Sequence, residues 1–328
     1  MARARAARPD ARFGLTLSSE EHAPTRLVEI AAAAERAGFD FVSISDHYHP
    51  WIGEQGHSPF VWSVLGAIAQ ATDEIDVVVG VTCPIVRTHP AVVAQAVATT
   101  ACLLEDRFTW GVGTGEALNE HILGDRWPPA PVRLEMLDEA IEVIRELWTG
   151  ESVTHYGAYY TVEDARLFDV PDSLPPIVVS AFGPQATELA ARIGDGLWVT
   201  GLSEDTITQF RKAGGSGPVY SQLTFCWDPD EDTAIERAHR VWPNTLVPGQ
   251  LSQDLPTVAH FETAVEPFGP DDIAEAMPCG PVIERIIDDA RAAVDAGIDH
   301  VYLHQVGDPL DGFLDVCERE ILPALRER

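Results

Sequence analysis

The run Asp46-His47-Tyr48-His49-Pro50-Trp51 concentrates groups that can move protons and pack against flat rings. It directly follows the apolar segment 41–45, which is predicted as a buried strand. In (β/α)8 barrels the active site lies at the carboxyl ends of the strands, where such a segment opens onto a loop. We therefore predict that His47 accepts a proton, since an imidazole titrates near neutral pH. Trp51 is predicted as one wall of a flat cofactor pocket.

A carboxylic acid follows another strand-like segment. Residues 108–113 end in glycines, which let a ligand approach the backbone closely, and Glu116 and Asn119 lie in the loop beyond them. Loops after the second and fourth strands of a barrel can both reach its mouth. His47 and Glu116 are therefore predicted to flank one pocket as base and acid. The glycines do not form a dinucleotide fingerprint, because no G-x-G-x-x-G follows the first strand.

A third segment, 180–187, has the form of a strand, a glycine turn and a helix that starts at Pro184. The free N–H groups at the start of a helix can bind an anion. The same pattern is common in ordinary strand-to-helix connections, so it does not identify a ligand.

Two other interpretations of the histidines remain open. His47 and His49 lie two apart at a strand end, a spacing that could place both rings on one metal ion. His300 and His304 lie on the last predicted strand, although the ends of strands four to seven offer no histidine. Alternatively, these are polar residues of an ordinary loop.

The elements that must position these groups alternate between strand and helix. The predicted strands cover 13–17, 41–45, 75–81, 108–113, 177–181, 197–200, 219–225 and 300–305. Such alternation favours parallel strands with helical crossovers, and we predict an α/β fold, a (β/α)8 TIM barrel. Two doubly wound domains would need a central linker and a glycine-rich first turn, and neither is present.

The domain organisation follows from the same pattern. Residues 13–328 are predicted as a single domain, preceded by a disordered tail at 1–12. An insertion at about 150–174 is predicted to hold a small hairpin that pairs 152–154 with 159–161. A second insertion at about 228–281 has one helix near 233–241 and little periodicity beyond it. We expect these insertions to extend over the mouth of the barrel.

Composition excludes several classes of partner. The formal net charge of the 328 residues is -30, and Lys212 is the single lysine. Such a surface repels nucleic acid and anionic membranes. The five cysteines are widely spaced without a CxxC motif, which favours a reducing, cytoplasmic location without disulfides or structural zinc. No uncharged apolar run approaches the ~20 residues of a membrane span.

Two motifs together resemble a known family. The run from Ser45 to Trp51 and the run Thr114-Gly115-Glu116-Ala117-Leu118-Asn119-Glu120 are similar to those of the luciferase-like flavin and deazaflavin oxidoreductases. Within that family they are most similar to the group of coenzyme F420-dependent glucose-6-phosphate dehydrogenase. The resemblance implies a luciferase-like barrel, usually a homodimer, with coenzyme F420 bound at the carboxyl ends of the strands.

The resemblance also implies roles for individual residues. His47 would take the proton of a substrate hydroxyl, Glu116 would protonate the reduced ring, and Trp51 and Glu20 would line the same site. Thr200 would lie on the substrate side, and the Gly80–Val81 peptide bond would be cis. The positions that match cofactor-binding residues are Asp46, Cys83, Thr114, Gly115, Asn119, Phe182, Gly183, Gln185 and Ala186. Cys83 stands where the family has threonine.

The substrate site departs from the family pattern. Ser203, Thr263 and Ala276 occupy the positions where the family dehydrogenase uses basic residues for a sugar phosphate. A phosphate dianion would find no cation there. We therefore expect an uncharged small-molecule alcohol or sugar, or the reverse carbonyl reduction, instead of glucose 6-phosphate. The alternatives are an FMN-dependent luciferase-like monooxygenase, a metal-dependent barrel hydrolase and a non-catalytic binding protein of the same fold.

Overall fold

Eight parallel strands form a closed barrel in this computed structural model, which describes residues 11–327. In chain order the strands are β1 (Arg12–Leu17), β2 (Phe41–Ile44), β3 (Asp76–Thr82), β4 (Phe108–Val112), β5 (Val153–Tyr156), β6 (Thr161–Ala165), β7 (Ile177–Ser180), β8 (Gly196–Thr200), β9 (Val219–Phe225) and β10 (His300–Gln305). The barrel order is β1-β10-β9-β8-β7-β4-β3-β2, while β5 and β6 pair separately. The predicted (β/α)8 barrel is confirmed, and each barrel strand ends within one residue of its predicted bounds.

Helices surround the barrel and also cover part of its mouth. They are α1 (Pro24–Ala37), α2 (Val61–Ala71), α3 (Pro90–Leu104), α4 (Ala117–Glu120), α5 (Ala130–Leu147), α6 (Pro184–Ile193), α7 (Glu204–Lys212), α8 (Glu231–Val241), α9 (Leu251–Asp254), α10 (Val258–Val265), α11 (Pro270–Ala276), α12 (Ile283–Ala296), α13 (Leu310–Val316) and α14 (Leu322–Arg326). Proline at the first helical positions begins α1, α3 and α6, because its missing N–H is not needed there. Gly38 ends α1 with φ 86°, a left-handed conformation that glycine adopts without strain.

The start of the first strand differs from the prediction by one residue. Residues 1–10 of the predicted tail lie outside the described residues. Arg12, also assigned to that tail, is the first residue of β1. Its guanidinium pairs with Asp76 and donates to the carbonyl of Asp40, so the strand extends one residue further.

No helix within 11–327 is long and apolar enough to span a bilayer.

The inside of the barrel is filled by aromatic and β-branched side chains. Phe41, Val78, Val178, Trp198, Tyr220 and Tyr302 form this interior cluster. Trp198 stacks on Tyr220 with ring centroids 5.4 Å apart. Trp198 and Tyr302 also line the cavity above, so the cluster forms the floor of the site. The Gly80–Val81 bond beside this floor is cis, as the resemblance implies.

The hairpin of the first insertion forms in a different register from the one predicted. Val153 pairs with Ala165, and Tyr156 pairs with Thr161. Tyr159 and Tyr160, predicted in the second strand, lie in the turn instead. The Glu139 carboxylate on α5 accepts hydrogen bonds from the N–H groups of residues 158–160, which fixes that turn. Sequence patterns of the hairpin alone do not contain this contact.

The proline-rich segment 128–131 leads directly into a helix. α5 begins at Ala130, because Pro131 fits the first helical turn. The second insertion, expected to have little structure beyond one helix, contains α9, α10 and α11 as well as α8. These helices are short, four to eight residues, so their periodicity is too brief to detect in the sequence.

We predict that Gly14→Ala lowers the free energy of unfolding by about 1–3 kcal/mol, because overpacking a barrel interior forces side chains to shift. A Cβ at Gly14 would lie 2.5 Å from the buried Phe41 ring. Gly66→Ala on α2 is the matched control, since a Cβ there has nothing within 4 Å. It should raise stability by about 0.5–1 kcal/mol through helix propensity. Denaturant unfolding of both variants measures this, and equal effects would contradict the packing argument.

Candidate active site

A cavity of about 1340 Å³ opens at the carboxyl ends of the barrel strands. Glu20, His47, Trp51 and Glu116 all line it, although they come from the loops after three different strands. Residues 242–253 and 276–278 of the second insertion form part of the rim. The cavity therefore brings the predicted base, acid and aromatic wall to a single space.

His47 and Glu20 form a buried imidazole–carboxylate pair. His47 Nδ1 lies 2.7 Å from Oε1 of Glu20, and the side chains are 14% and 2% exposed. The hydroxyls of Ser18 and Ser45 donate to the other carboxylate oxygen, both at 2.9 Å. Nδ1 is thereby occupied, which leaves Nε2 as the ring nitrogen available to a ligand in the cavity.

The pKa values of the pair move apart. Burial alone would raise the pKa of Glu20, but the charge and hydrogen bond of His47 outweigh it and lower that pKa to about 2. Burial likewise opposes the charged form of His47, yet the neighbouring Glu20 carboxylate raises its pKa above the ordinary value of 6.5. Glu20 is therefore a permanent anion that stabilises a proton on His47.

Trp51 covers the base and is itself fixed from behind. Its ring meets His47 edge to face at 5.0 Å and Phe261 of α10 at 5.1 Å. Gln55 holds the backbone, since its Oε1 accepts from Trp51 N at 2.8 Å. The Nε2 of Gln55 donates to the carbonyl of Val241. The second insertion thus fixes the aromatic wall.

The base and acid loops are joined by Asn119. Its Oδ1 accepts hydrogen bonds from the backbone N–H of Tyr48 at 2.8 Å and of His49 at 3.0 Å. Asn119 lies one turn beyond Glu116, which is half-buried at the start of α4. Its Nδ2 is buried without a partner among the described residues. The position of His47 is therefore coupled to the loop that carries Glu116.

Arg87 is a second link between these loops that sequence reasoning missed. Its guanidinium lies 3.0 Å from Oδ1 of Asp46 and 3.4 Å from Oε1 of Glu120. Its backbone N–H also donates to Glu120 Oε2 at 2.7 Å. The signal available was an arginine just past the third strand, beside two loops that each carry an acid. Arg87 therefore contacts two buried carboxyl groups behind the cavity wall.

Glu120 is a buried acid whose pKa is raised into the neutral range. Its pKa is raised to about 7, mainly by burial and further by Glu116 and Asp46, while Arg87 opposes the shift. When Glu120 is neutral, Arg87 forms its ion pair with Asp46 alone.

The positions matched to cofactor binding fall into two groups. Those that line the cavity are Thr114, Phe182, Gly183, Gln185 and Ala186. Those that lie behind its wall are Asp46, Cys83, Gly115 and Asn119. In the second group Asp46 pairs with Arg87, and a Cβ at Gly115 would lie 3.1 Å from the Cys83 sulfur. Thr200, expected on the substrate side, lines the cavity.

The first group fits a flat cofactor with an anionic tail. The N-terminus of α6 opens to the cavity, and its free N–H groups favour a negative charge. A Cβ at Gly183 would meet nothing within 4 Å, so the approach to these groups is open. The N-terminus of α6 and the volume of the cavity together suit a tricyclic ring with a phosphate tail.

The histidines do not converge on a metal site. His49 Nδ1 lies 3.0 Å from the carbonyl oxygen of Leu118, whereas His47 contacts Glu20. His300 stacks on Tyr220 in the barrel interior, where burial lowers its pKa to about 4. Within residues 11–327 no three His, Cys, Asp or Glu side chains gather as a metal site. All five cysteines are free thiols.

We predict that Glu120→Gln changes how stability depends on pH. Glu120 keeps its proton to about pH 7 when folded but loses it near 4.5 when unfolded, so wild-type stability should fall across this window. The variant has no titrating group at this position. The difference in the free energy of unfolding between wild type and variant should therefore change by about 1 kcal/mol per pH unit. Unfolding at pH 4.5–7.5 measures it, with exposed Glu142→Gln as the control. A constant difference would contradict the raised pKa.

The chain matches known proteins over nearly its full length. The family model for luciferase-like monooxygenase covers residues 10–300. An F420-dependent glucose-6-phosphate dehydrogenase of Microbacterium testaceum is 36% identical over 97% of this chain and 98% of that relative. The protein of the same name from Tsukamurella paurometabola is 35% identical, over 96% of this chain and 98% of its own length.

A solved structure has the same barrel. It is an F420-dependent secondary alcohol dehydrogenase in complex with an F420-acetone adduct, with a TM-score of 0.89 and 32% identity, covering 97% of this chain and 100% of that one. Agreement in sequence and in fold leads to one conclusion: this chain belongs to the luciferase-like monooxygenase family, within the group that includes the F420-dependent glucose-6-phosphate dehydrogenases.

Proposed function

We propose that this protein is a coenzyme F420-dependent oxidoreductase that moves a hydride between an uncharged alcohol or sugar carbon and the deazaflavin. The observation that carries the proposal is the buried Glu20–His47 pair, which opens with Glu116 and Trp51 into one cavity. The cofactor assignment is supported by relatives and a structural neighbour that are F420-dependent. When bound, the deazaflavin supplies a ring carbon that accepts the hydride.

His47 acts on the substrate hydroxyl. Its Nε2 takes the hydroxyl proton, while the carbon that bears this hydroxyl gives up its hydride and becomes a carbonyl. The Glu20 carboxylate stabilises the imidazolium that results, and it fixes the ring orientation through Nδ1. Trp51 excludes water from the same face. Glu116, on the wall of the same cavity, would hold the proton that a bound deazaflavin takes up together with the hydride.

An uncharged substrate suits the composition of the cavity. Ser203 and Thr263, expected at the phosphate positions, do not line it, and Ala276 does. Among the described lining residues Arg133 is the one with a cationic guanidinium or ammonium group. Its guanidinium already donates to the carbonyl of Pro128 at 2.8 Å and to Gln253 at 3.0 Å. Three carboxyl groups line the same cavity, which disfavours a phosphate dianion.

The test of this function is reduction of purified F420 by the wild-type protein with neutral alcohols and sugars. Turnover is expected with neutral substrates, and glucose 6-phosphate should be at least tenfold poorer in kcat/KM. Comparable rates with glucose 6-phosphate would refute the uncharged substrate. Turnover with FMN and oxygen, but none with F420, would refute the proposed function and favour a monooxygenase.

We predict that Glu20→Gln moves the acidic limb of the kcat/KM profile to lower pH. In the wild type that limb should lie above pH 6.5, because the Glu20 charge raises the pKa of His47 and only the neutral ring accepts a proton. Without the Glu20 charge, the effect of burial lowers the pKa of His47. The substitution should also reduce kcat by about 10²-fold or more. His47→Asn should abolish the limb while F420 still binds, as measured by fluorescence quenching. An unmoved limb would remove His47 from this role.

A further inference from the structure

A second carboxylate–imidazole pair lies at the same cavity. His304 Nε2 is 2.8 Å from Oε1 of Glu21, and both side chains are almost completely buried, at 1% and 2% exposure. The other Glu21 oxygen accepts the backbone N–H of Gly307. Glu20 and Glu21 are adjacent in sequence, and each holds a histidine from a different neighbour of β1: His47 follows β2, and His304 lies on β10. The proposed reaction uses only the first pair.

The second imidazole presents an acceptor to two polar side chains. Because Nε2 faces the Glu21 carboxylate, it carries the proton, and Nδ1 is left with a lone pair. Gln222 Nε2 is 3.3 Å from Nδ1 and Thr224 Oγ1 is 3.4 Å from it, both at the long end for hydrogen bonds. Gln222 also donates to Thr224 at 2.9 Å. A hydroxyl group in the cavity could take the place of these long contacts.

These residues form one side of the cavity, here called the β9–β10 wall: Gln222, Thr224, Trp242 and His304. In the barrel order β9 and β10 stand across from β3 and β4, the strands whose loops carry Arg87 and Glu116. Trp242 meets the His304 ring edge to face at 4.4 Å and covers it. The wall therefore lies opposite the proposed acid, on the side that the matched cofactor residues leave free.

The wall offers donors and acceptors without a cation. Amide, hydroxyl and imidazole groups pair with hydroxyls, and a site that hydrogen-bonds a substrate hydroxyl strongly rejects an analogue that lacks it. We propose that the β9–β10 wall binds additional hydroxyl groups of the substrate, so that the substrate is an uncharged polyhydroxylated alcohol of the sugar or cyclitol class. This inference rests on the proposed F420-dependent function. Glu21 is then a positioning residue that fixes His304.

The experiment compares matched substrates in steady-state assays with F420. A panel of neutral hexoses and cyclitols is set against tetrahydropyran-2-ol and cyclohexanol, which keep the ring and one hydroxyl but lack the others. The wild type should prefer the polyhydroxylated members at least tenfold in kcat/KM. Thr224→Val and Gln222→Leu should each lower this preference at least fivefold, mainly through KM for the polyhydroxylated substrate.

Two further variants separate positioning from general damage. Thr99→Val is the matched control, because Thr99 is exposed on α3 and outside the cavity, and it should keep the wild-type preference. Glu21→Met should lose the preference, whereas Glu21→Gln, which retains an acceptor for Nε2–H, should keep more of it. Thermal unfolding midpoints identify any variant that fails to fold.

Each outcome decides between the two proposals. Equal or better turnover of the single-hydroxyl alcohols by the wild type would overturn the inference and leave the F420-dependent function standing. An unchanged preference in Thr224→Val and Gln222→Leu would overturn the role of the wall. No F420 reduction with any alcohol would instead refute the proposed function itself.

Discussion

The 2.7 Å contact between Glu20 and His47 depends directly on strand register. In the parallel pair of β1 and β2, Leu17 lies opposite Ile44. Glu20 and His47 each follow three residues later, so the two chains leave the barrel side by side and bring the groups together. Two ionisable groups buried this deeply are stable only as a pair. A shift in register would separate them and leave a carboxylate buried alone.

The first loop of the barrel serves both neighbouring strands. Glu20 turns towards His47 and Glu21 towards His304, so adjacent residues orient imidazoles on either side of β1. A carboxylate behind each ring fixes its tautomer, which determines which nitrogen faces the cavity. The two histidines thereby offer different atoms, Nε2 from His47 and Nδ1 from His304. One could move a proton, while the other could recognise a hydroxyl.

The arginines of this site are each engaged by neighbouring groups, in a protein that is strongly acidic as a whole. Arg87 bridges Asp46 and Glu120 behind the wall and so joins the loops that carry His47 and Glu116. Arg133 has its guanidinium over the Trp127 ring at 4.3 Å and hydrogen bonds to neighbouring groups. With these cations engaged, the cavity presents hydroxyl, amide and imidazole groups to a substrate, together with its carboxyls.

Local sequence patterns were sufficient to predict the barrel and to predict which residues lie at its mouth. Buried parallel strands read as apolar runs, and proline and glycine mark where helices begin and end, so all eight barrel strands could be predicted. His47, Trp51 and Glu116 could be singled out from the motif runs that contain them, and Glu20 from the family resemblance that those runs carry. The short helices of the second insertion could not, since four to eight residues carry too little periodicity.

Only the tertiary structure decided which partners these residues have. Glu21 and His304 are separated by 283 positions in the chain, and Asp46 and Arg87 by 41, so no local pattern relates them. Closure of the barrel makes β10 a neighbour of β1 and thereby creates the second pair. The sequence determined which chemical groups reach the carboxyl ends of the strands. Strand register and barrel closure determined which of them meet, because contact between distant residues depends on how the strands align.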